Sequence, residues 1–320
     1  MKTTCLVNNY NYADFVGEAI SSVLVQTKPF DEIIIVDDGS TDGSLDVITA
    51  AVANRSDINV IAKKNEGQLS CFNEGFAAST GDVIFFLDSD DLYTPRYLET
   101  ALDFYNKNKE CDFLCCAVHE FGEHDAIKNF INHYCEETGD IGFSLLRTMY
   151  GKEFIGGATS SLSAKRPILE QFLPLPFAHD WKISADDCLV YGSSLVGARK
   201  YCLPQPLVEY RVHGGNKWYN KSFSKSYQFK KQLKRERMMQ YIIEKNYYGG
   251  KLDKLILREF RTIPNPDLKT TRFYLSLLRK SNLYPEERKE IRNKIIRKYL
   301  KTRFETLLSS KRQQKIAGRK

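Results

Sequence analysis

The sequence predicts an α/β fold in which a mostly parallel sheet carries helices on both of its faces. Short apolar runs alternate along residues 1–117 with segments whose apolar residues recur at spacings of three and four. This alternation is typical of strands and amphipathic helices in turn. Three of the apparent strands also end in polar side chains that can bind ligands. Because ligands of open α/β sheets bind beyond the carboxyl ends of the strands, a binding site is expected there.

Five short apolar runs predict the strands. In chain order they are Thr4–Val7, Glu32–Val36, Ile58–Ile61, Val83–Leu87 and Phe113–Cys116. The run Val83–Leu87 has no polar residue on either face, which predicts a strand that is covered on both sides.

Four helices are predicted between these strands. They cover Phe15–Leu24, Asp42–Ala53, Gly67–Thr80 and Pro95–Tyr105. Ser40 or Thr41 is suited to cap the second helix. Gly81 follows the third helix, and glycine often ends helices. Pro95 begins the fourth, because proline is favoured in the first turn.

The strongest indication of function follows the fourth apparent strand. Val83–Leu87 leads directly into Asp88-Ser89-Asp90-Asp91, so three carboxylates end a buried strand. Like charges held close together repel each other, and a cation beside them removes that repulsion. A hard divalent cation with oxygen ligands, bridging to phosphate groups, fits such a cluster. A solvated Asp-rich turn is the alternative interpretation.

Two other strands end in a similar way. Glu32–Val36 leads into the polar segment Asp37–Asp42, and Thr4–Val7 leads into Asn8-Asn9-Tyr10-Asn11. We expect the three polar strand ends to meet at one edge of the sheet.

In their order and spacing, these motifs resemble those of the family 2 glycosyltransferases, inverting enzymes with a Rossmann-like GT-A fold that use nucleotide-sugars. The resemblance covers roughly residues 3–216. Besides the strand ends, it rests on Asn65-Glu66-Gly67, Asn73-Glu74-Gly75, Ala185-Asp186-Asp187 and Tyr210-Arg211-Val212-His213. It implies a metal-dependent enzyme that moves a sugar, expected to come from a UDP-sugar, to a hydroxyl of a glycan, lipid or protein acceptor.

The resemblance also implies roles for individual residues. Asp38 is expected to accept a hydrogen bond from a pyrimidine base. Asp90 is expected to bind Mn²⁺ or Mg²⁺ directly, with Asp88 facing the ribose or a metal-bound water. The implied nucleotide-sugar-binding residues are Asn8, Asn9, Asp37, Asp38, Asn65, Gln68, Asp88 and Ser89, and the implied metal ligands are Asp90, Asp88 and His213. Two alternatives stay open: Asp37 shapes the turn, and His213 is a packing or surface residue.

Asp186 and Asp187 are the candidate general bases. An ordinary Asp, with a pKa of about 3.9, is ionised at neutral pH and can accept a proton. Its weak basicity is sufficient because the hydroxyl becomes acidic only as it attacks the anomeric carbon. The family pattern places the base three residues before an apolar helix position, and Leu189 therefore favours Asp186. A pair of carboxylates that complements a helix dipole is the alternative.

Charge is divided sharply along the chain. Residues 217–320 contain 30 Lys and Arg against 9 Asp and Glu, a net charge of +21, which leaves residues 1–216 with 17 against 31, a net charge of −14. The basic part contains helical patterns over Phe229–Tyr247, Leu252–Phe260 and Pro285–Leu308. Contact with an anionic membrane surface or with a protein partner is expected for it, and docking to the acidic part is a third interpretation. Tyr, Phe and Leu between the basic residues favour a folded helical region over a disordered arm, and nucleic acid is the least favoured partner.

We therefore predict three parts: a nucleotide-sugar-binding part at 1–117, an acceptor-side part at 118–216, and a basic α-helical region at 217–320. Eight cysteines without a recognisable signal peptide are typical of reduced thiols. No apolar run is long enough for a membrane span. A cytoplasmic protein, peripheral at the inner face of the membrane, is expected.

The alternative function is a catalytically inactive GT-A scaffold, or a nucleic-acid-associated protein that uses the basic region. The presence of Asp38, Asp90 and Asp186 argues against it. Because the candidate catalytic residues all precede Asn216, a chain ending near Ser222 is expected to keep nucleotide binding, provided that the acidic part folds alone.

Overall fold

The computed structural model describes residues 1–53, 55–128, 139–216, 222–246 and 252–317. The strands in these ranges are β1 (Thr3–Asn9), β2 (Glu32–Asp37), β3 (Ile58–Ala62), β4 (Val83–Asp88), β5 (Leu92–Tyr93), β6 (Phe113–Gly122), β7 (Ala126–Lys128), β8 (Asp140–Gly142), β9 (Leu162–Lys165) and β10 (Lys200–Val212). The helices are α1 (Ala13–Leu24), α2 (Ser44–Ala51), α3 (Gln68–Ala78), α4 (Tyr97–Lys107), α5 (Leu145–Gly151), α6 (Arg166–Leu169), α7 (Asp186–Leu195), α8 (Lys225–Asn246), α9 (Ile256–Thr262), α10 (Leu268–Lys280) and α11 (Pro285–Ala317). All five predicted strands and four predicted helices of residues 1–117 are present.

One mixed sheet organises the first two thirds of the chain. Its strand order is β3-β2-β1-β4-β9-β6-β10-β5, with β7 beside β6 and β8 beside β10. The strands β1 to β4 run parallel to one another, and β6 runs parallel to β10. Strand β9 lies between β4 and β6 and is antiparallel to both. The predicted α/β fold is confirmed, and its carboxyl-end edge is where β1, β2 and β4 finish together.

The two faces of the sheet bury separate hydrophobic clusters. Along β4, Ile84 and Phe86 belong to one cluster, whereas Val83, Phe85 and Leu87 belong to the other. Side chains of a strand alternate between its faces. Because both faces are covered by helices, every position in this run is apolar.

The basic region is helical and packs onto the sheet domain. From α8, Met238, Met239 and Ile242 join the cluster on one face of the sheet. Helices α9, α10 and α11 enclose a further cluster with α5. Glu259 of α9 is buried and accepts hydrogen bonds from the backbone N–H of Leu146 (2.8 Å) and from Tyr274 Oη (2.6 Å). These contacts join the basic helices to residues 145–147.

The predicted boundary between residues 117 and 118 falls inside β6, so both predicted parts share the central strands. That division of residues 1–216 stays a prediction. In the described ranges, no helix combines the length and apolarity that crossing a bilayer requires.

Candidate active site

A cavity of about 970 Å³ lies at the carboxyl-end edge of the sheet. Most of the residues predicted to form the site line it, namely Asn8, Asn9, Asp38, Asn65, Gln68, Asp88, Ser89, Asp90, Asp186 and Asp187. Asp37 lies beneath the cavity, and His213 borders it through Asp90. The expectation that the three polar strand ends meet is therefore met.

Three carboxylates cluster at the end of β4. One oxygen from each of Asp88, Asp90 and Asp91 lies within 4.8 Å of the others. Asp88 Oδ1 accepts hydrogen bonds from Asn8 Nδ2 and from Gln68 Nε2, each at 2.8 Å. Burial, together with the negative charge of Asp90, raises the pKa of Asp88 to about 6. The cluster therefore resists full ionisation unless positive charge is added.

Asp91 supports the cluster from below. Its carboxylate accepts hydrogen bonds from Ser160 Oγ (2.6 Å) and from the backbone N–H of Arg211 (2.9 Å). Burial, and then the charge of Asp90, raise its pKa well above the ordinary value. Because each of its oxygens accepts a hydrogen bond from a neighbouring segment, and Asp91 does not line the cavity, Asp91 is better placed to position these segments than to bind a ligand.

The residues around Asp90 fit a divalent cation. The donors are hard oxygens, which Mn²⁺ and Mg²⁺ prefer. The buried hydroxyl of Ser89, between Asp88 and Asp90 in the chain, has no hydrogen-bond partner among the described residues. A cation there would relieve the repulsion that raises the pKa of Asp88.

His213 contacts the cluster through Asp90. Its Nε2 lies 3.1 Å from Asp90 Oδ2, while its Nδ1 accepts a hydrogen bond from the backbone N–H of Gly215 at 3.2 Å. Nε2 is therefore the nitrogen directed at the acid cluster. The ring lies 4.8 Å from that of Phe15, centroid to centroid. The structure brings His213 to the predicted place, and its role as a metal ligand stays a prediction.

Asp37 and Asp38 face different surroundings. Asp37 accepts hydrogen bonds from Asn9 Nδ2 (2.8 Å) and Ser40 Oγ (2.6 Å) and does not line the cavity. These contacts correspond to the turn-shaping role that the sequence left open, rather than to nucleotide contact. Asn9 consequently presents a buried Oδ1 that has no partner in the described part of the chain.

Asp38 lines the cavity but already accepts three hydrogen bonds. Its donors are Lys63 Nζ (3.0 Å) and the backbone N–H groups of Glu66 (3.0 Å) and Gly67 (2.7 Å). A carboxylate has about four acceptor positions, so one remains for a nucleobase N–H. Asp38 therefore also fixes the loop that leads into α3.

The start of α3 ties this loop to the predicted base. Gly67 adopts a positive φ of 101°, and an added Cβ would lie 2.4 Å from Lys182 Cα, so only glycine allows the approach. Gln68 donates its backbone N–H to Lys182 O (3.1 Å) and accepts the N–H of Ala185 at its Oε1 (2.9 Å). Because its Nε2 also holds Asp88, Gln68 connects the acid cluster to residue 185.

Asp186 and Asp187 are the first two residues of α7, and their carboxylates differ. Asp187 is 2% exposed and is bound by Arg235 through two hydrogen bonds of 2.9 Å and by Lys231 Nζ at 3.0 Å. Asp186 has no ion-pair partner among the described residues. Burial and the neighbouring charge of Asp187 raise the pKa of Asp186 to about 7, despite the opposing charge of Lys231. This difference favours Asp186 as the base.

Several residues that line or support the cavity were missed by the sequence interpretation. Lys231 and Arg235 of α8 line the cavity, although they lie in the part assigned outside the catalytic region. Thr159 and Ser160, in a single 3₁₀ turn before β9, approach Gln68 and Asp91. Asp91 belongs to the acidic run after β4 and could have been found from it. Lys231, Arg235, Thr159 and Ser160 are far from that run in sequence and belong to no recognised motif.

Known proteins resemble the chain in sequence and in fold. Residues 4–171 match the family model described as glycosyl transferase family 2. An uncharacterised glycosyltransferase of Nostoc sp. is 35% identical over 258 residues, which cover 79% of this chain and 79% of that protein.

Two solved structures superpose on nearly the whole chain. S. aureus TarS 1–349, solved with UDP-GlcNAc, gives a TM-score of 0.56 at 17% identity, covering 93% of this chain and 89% of that chain. Mannosyltransferase PcManGT from Pyrobaculum calidifontis, solved with GDP-Man and Mn²⁺, gives 0.53 at 15% identity, covering 95% and 87%. At these identities the likeness establishes a shared fold alone.

Proposed function

The chain belongs to glycosyl transferase family 2 and is a glycosyltransferase, and from this premise we propose that it is a metal-dependent, inverting enzyme with a UDP-sugar donor. The observation that carries the proposal is one cavity lined by Asp88 and Asp90 of the acid cluster and by Asp186, whose carboxylate has no ion-pair partner among the described residues. The acceptor is a hydroxyl of a glycan, lipid or protein.

Asp90 and Asp88, with His213 beside them, would hold Mn²⁺ or Mg²⁺. When bound, the cation would neutralise negative charge on the leaving diphosphate. Asp90 is the central member, because it lies in the cluster with Asp88 and 3.1 Å from His213. PcManGT, named above, was solved with Mn²⁺. Asn8 and Gln68 orient Asp88 through their hydrogen bonds.

Asp186 accepts the proton of the acceptor hydroxyl. As the hydroxyl oxygen bonds to the anomeric carbon, the bond from that carbon to the diphosphate breaks on the opposite side, which inverts the configuration. A base with a pKa near neutrality is partly ionised at the working pH and is a stronger base than an ordinary Asp. The pKa of about 7 at Asp186 meets this requirement.

The nucleotide is proposed to be UDP. Asn9 and Asp38 both line the cavity. Asn9 Oδ1, which has no partner among the described residues, and the remaining acceptor position of Asp38 would accept a base N–H such as that of a uracil ring. TarS was solved with UDP-GlcNAc, whereas PcManGT was solved with GDP-Man, so the shared fold does not choose between the two nucleotides.

We also propose a cytoplasmic protein that is peripheral to a membrane. The seven cysteines in the described part are free and buried, as reduced core thiols are. The net charge of +21 in residues 217–320 favours an anionic surface.

A nucleotide-sugar panel tests the catalytic proposal. UDP- and GDP-sugars are incubated with the full chain and Mn²⁺, Mg²⁺ or a chelator, and released nucleotide is measured together with the melting temperature. We expect metal-dependent hydrolysis and stabilisation with a UDP-sugar. Asp90→Ala should abolish both, and Asp88→Ala should weaken them less.

Asp103→Ala, an exposed carboxylate on α4, serves as the matched control and should leave both readings unchanged. Metal-independent hydrolysis, or unchanged stabilisation by UDP and Mn²⁺ in Asp90→Ala, would refute the assignment. A preference for GDP-sugars would refute only the nucleotide.

A further inference from the structure

Helices α10 and α11 enclose a second cavity, of about 670 Å³, outside the active site. Five cationic side chains line it, and none of its lining residues is acidic; they are Arg272, Leu275, Leu278, Arg279, Arg288, Lys289 and Arg292. The cavity therefore combines a dense positive charge with an apolar floor.

The positive charge of this cavity is not neutralised within the described part of the chain, where no carboxylate forms an ion pair with any of the five. Of the described acids in the first turns of α11, Glu287 accepts the backbone N–H of Tyr284, Glu290 pairs with Lys294, and Glu286 forms no ion pair with the cavity cations. Clustered like charges repel one another, so an anionic ligand would stabilise this arrangement. This contrasts with α8, whose Arg235 and Lys231 are paired with Asp187.

The same helix α11 carries an exposed apolar stripe. Leu300, Phe304, Leu307 and Leu308 are 58%, 63%, 60% and 44% exposed. Their spacings of four, three and one place them on one face of a helix. The other face of α11 is buried at Ile295 and Thr302.

The cavity and the stripe lie on adjoining sides of α11. Lys289 and Leu307 are separated by about five turns of a regular helix, so their side chains leave the axis in the same direction, roughly 27 Å apart. Arg292 and Arg288 lie further round the helix, between this direction and the buried face that carries Ile295 and Thr302. Arg303 adds a cationic group beside the stripe, where Lys301 pairs with Glu305 at 3.8 Å. A basic amphipathic helix of this kind suits the plane between headgroups and acyl chains.

We propose that the α10–α11 cavity binds phosphate headgroups of an anionic lipid bilayer while the Leu300–Leu308 stripe enters the headgroup–acyl boundary. The proposal rests on the peripheral membrane association proposed above and assigns that association to particular residues. Nucleic acid would match the charge of the cavity but would leave four exposed apolar side chains without a role.

Vesicle co-sedimentation of the full chain tests the site. The probes are phosphatidylcholine vesicles with and without about one third phosphatidylglycerol, at low and at high salt. We expect recovery with the anionic vesicles alone, which decreases with salt. Arg288→Glu/Arg292→Glu should reduce binding at least about tenfold, because each basic residue near the surface contributes to attraction. Leu300→Ser/Phe304→Ser should reduce binding without changing its salt dependence.

Lys28→Glu/Lys107→Glu, two exposed cations of the sheet domain, changes the net charge equally and should retain binding. Equal recovery with neutral vesicles, recovery with neither, or an equal loss in this control would overturn the proposal. The proposal would also be overturned if a single-stranded oligonucleotide bound through Arg288 and Arg292 while vesicle binding did not need these residues. Metal-dependent hydrolysis is measured in parallel. Hydrolysis without vesicle binding refutes only the docking surface. Vesicle binding without hydrolysis refutes only the catalytic proposal.

Discussion

Asp186 and Asp187 are neighbours in the chain but differ in what neutralises them. Asp187 is bound by Arg235 and Lys231, so its carboxylate oxygens are already engaged by two cations. Asp186 lines the cavity without an ion-pair partner in the described ranges, and its pKa is raised to about 7. An acid–base role can therefore be assigned by surroundings, although the two residue types are identical.

Asp186→Asn is expected to reduce turnover by at least about a hundredfold, because the general base is lost. Stabilisation by UDP and Mn²⁺ should remain nearly intact. In the unmutated protein, the rate should fall as pH decreases through about 7, where Asp186 becomes protonated. A bound cation shifts this midpoint downward, since positive charge favours the carboxylate. The measurement is the pH profile of kcat/KM.

Melting temperatures provide the control for Asp186→Asn. A carboxyl whose pKa is higher in the folded than in the unfolded state loses stability as pH rises from about 4 to about 7. At pH 8 the variant should therefore melt no lower than the unmutated protein. A larger loss of turnover in a folded Asp187→Asn than in Asp186→Asn would identify Asp187 as the base instead.

At the scale of residues, most of the predicted site residues were found because they follow the ends of recognisable strands. Asp38, Asp88, Asp90 and Asp186 follow or precede recognisable elements, and the family resemblance supplied their expected roles. Lys231 has no such signal, because its position depends on how α8 packs against Asp187, 44 residues earlier in the numbering. A local pattern does not encode a contact of that length.

At the scale of elements, α8 acts as one wall of the active site. Its buried side chains join the sheet's hydrophobic cluster, and Arg235 and Lys231 reach the cavity. The predicted helix over Phe229–Tyr247 corresponds to α8, and Pro285–Leu308 lies within α11. Strand β9 was not predicted, because four residues with two polar side chains carry too weak a pattern.

Arg235→Met tests the role of α8. The change keeps a long aliphatic side chain but leaves the buried Asp187 with Lys231 as its one remaining cation among the described residues. The free energy of unfolding should therefore fall by less than the about 3–5 kcal/mol that a fully unpaired buried charge costs. The less compensated Asp187 should also raise the pKa of Asp186, so the pH midpoint of kcat/KM should move upward.

Arg237→Met is the matched control, two residues further along α8. Arg237 is 63% exposed and pairs with Asp180 at the surface, so its loss should leave the pH midpoint in place. An unchanged midpoint in Arg235→Met would show that the charge of Asp187 does not influence the pKa of Asp186. It would contradict the role assigned to Arg235, which is to compensate that charge.

At the scale of the whole molecule, the division of charge does not separate two independent units. Part of the basic region docks onto the acidic part through Arg235, Lys231 and Arg237. The five cations that line the α10–α11 cavity form no ion pair with a carboxylate within the described ranges. The composition predicted both kinds of contact as alternatives, but only the packing of the helices distinguishes which cations serve which purpose.

A chain that ends after Ser222 is now expected to fail, in contrast to the expectation from sequence. Without α8, the cluster around Met238, Met239 and Ile242 would face solvent, and Asp187 would lose both cations. We expect no cooperative unfolding transition and no stabilisation by UDP with Mn²⁺. The measurement is thermal unfolding with and without nucleotide.

A chain ending at Leu308 is the control, because it keeps the side-chain contacts described above. It should unfold cooperatively and respond to UDP. Normal nucleotide binding by the chain that ends after Ser222 would show that the acidic part folds alone.

The position of β9 has a consequence for the order in which the sheet forms. β4 and β6 cannot complete the native sheet together, since β9 lies between them, and β9 is made about forty residues after β6. During synthesis both strands keep an open edge until Leu162–Lys165 emerges, and such long-range pairing is slow. The turn just before β9 carries Ser160, which holds Asp91. Filling the gap between β4 and β6 and bringing Ser160 to Asp91 are thus one event. Strand β10 follows later, covers the other edge of β6 and brings the backbone N–H of Arg211 to Asp91, so the acid cluster is complete only when this exposed edge is also paired.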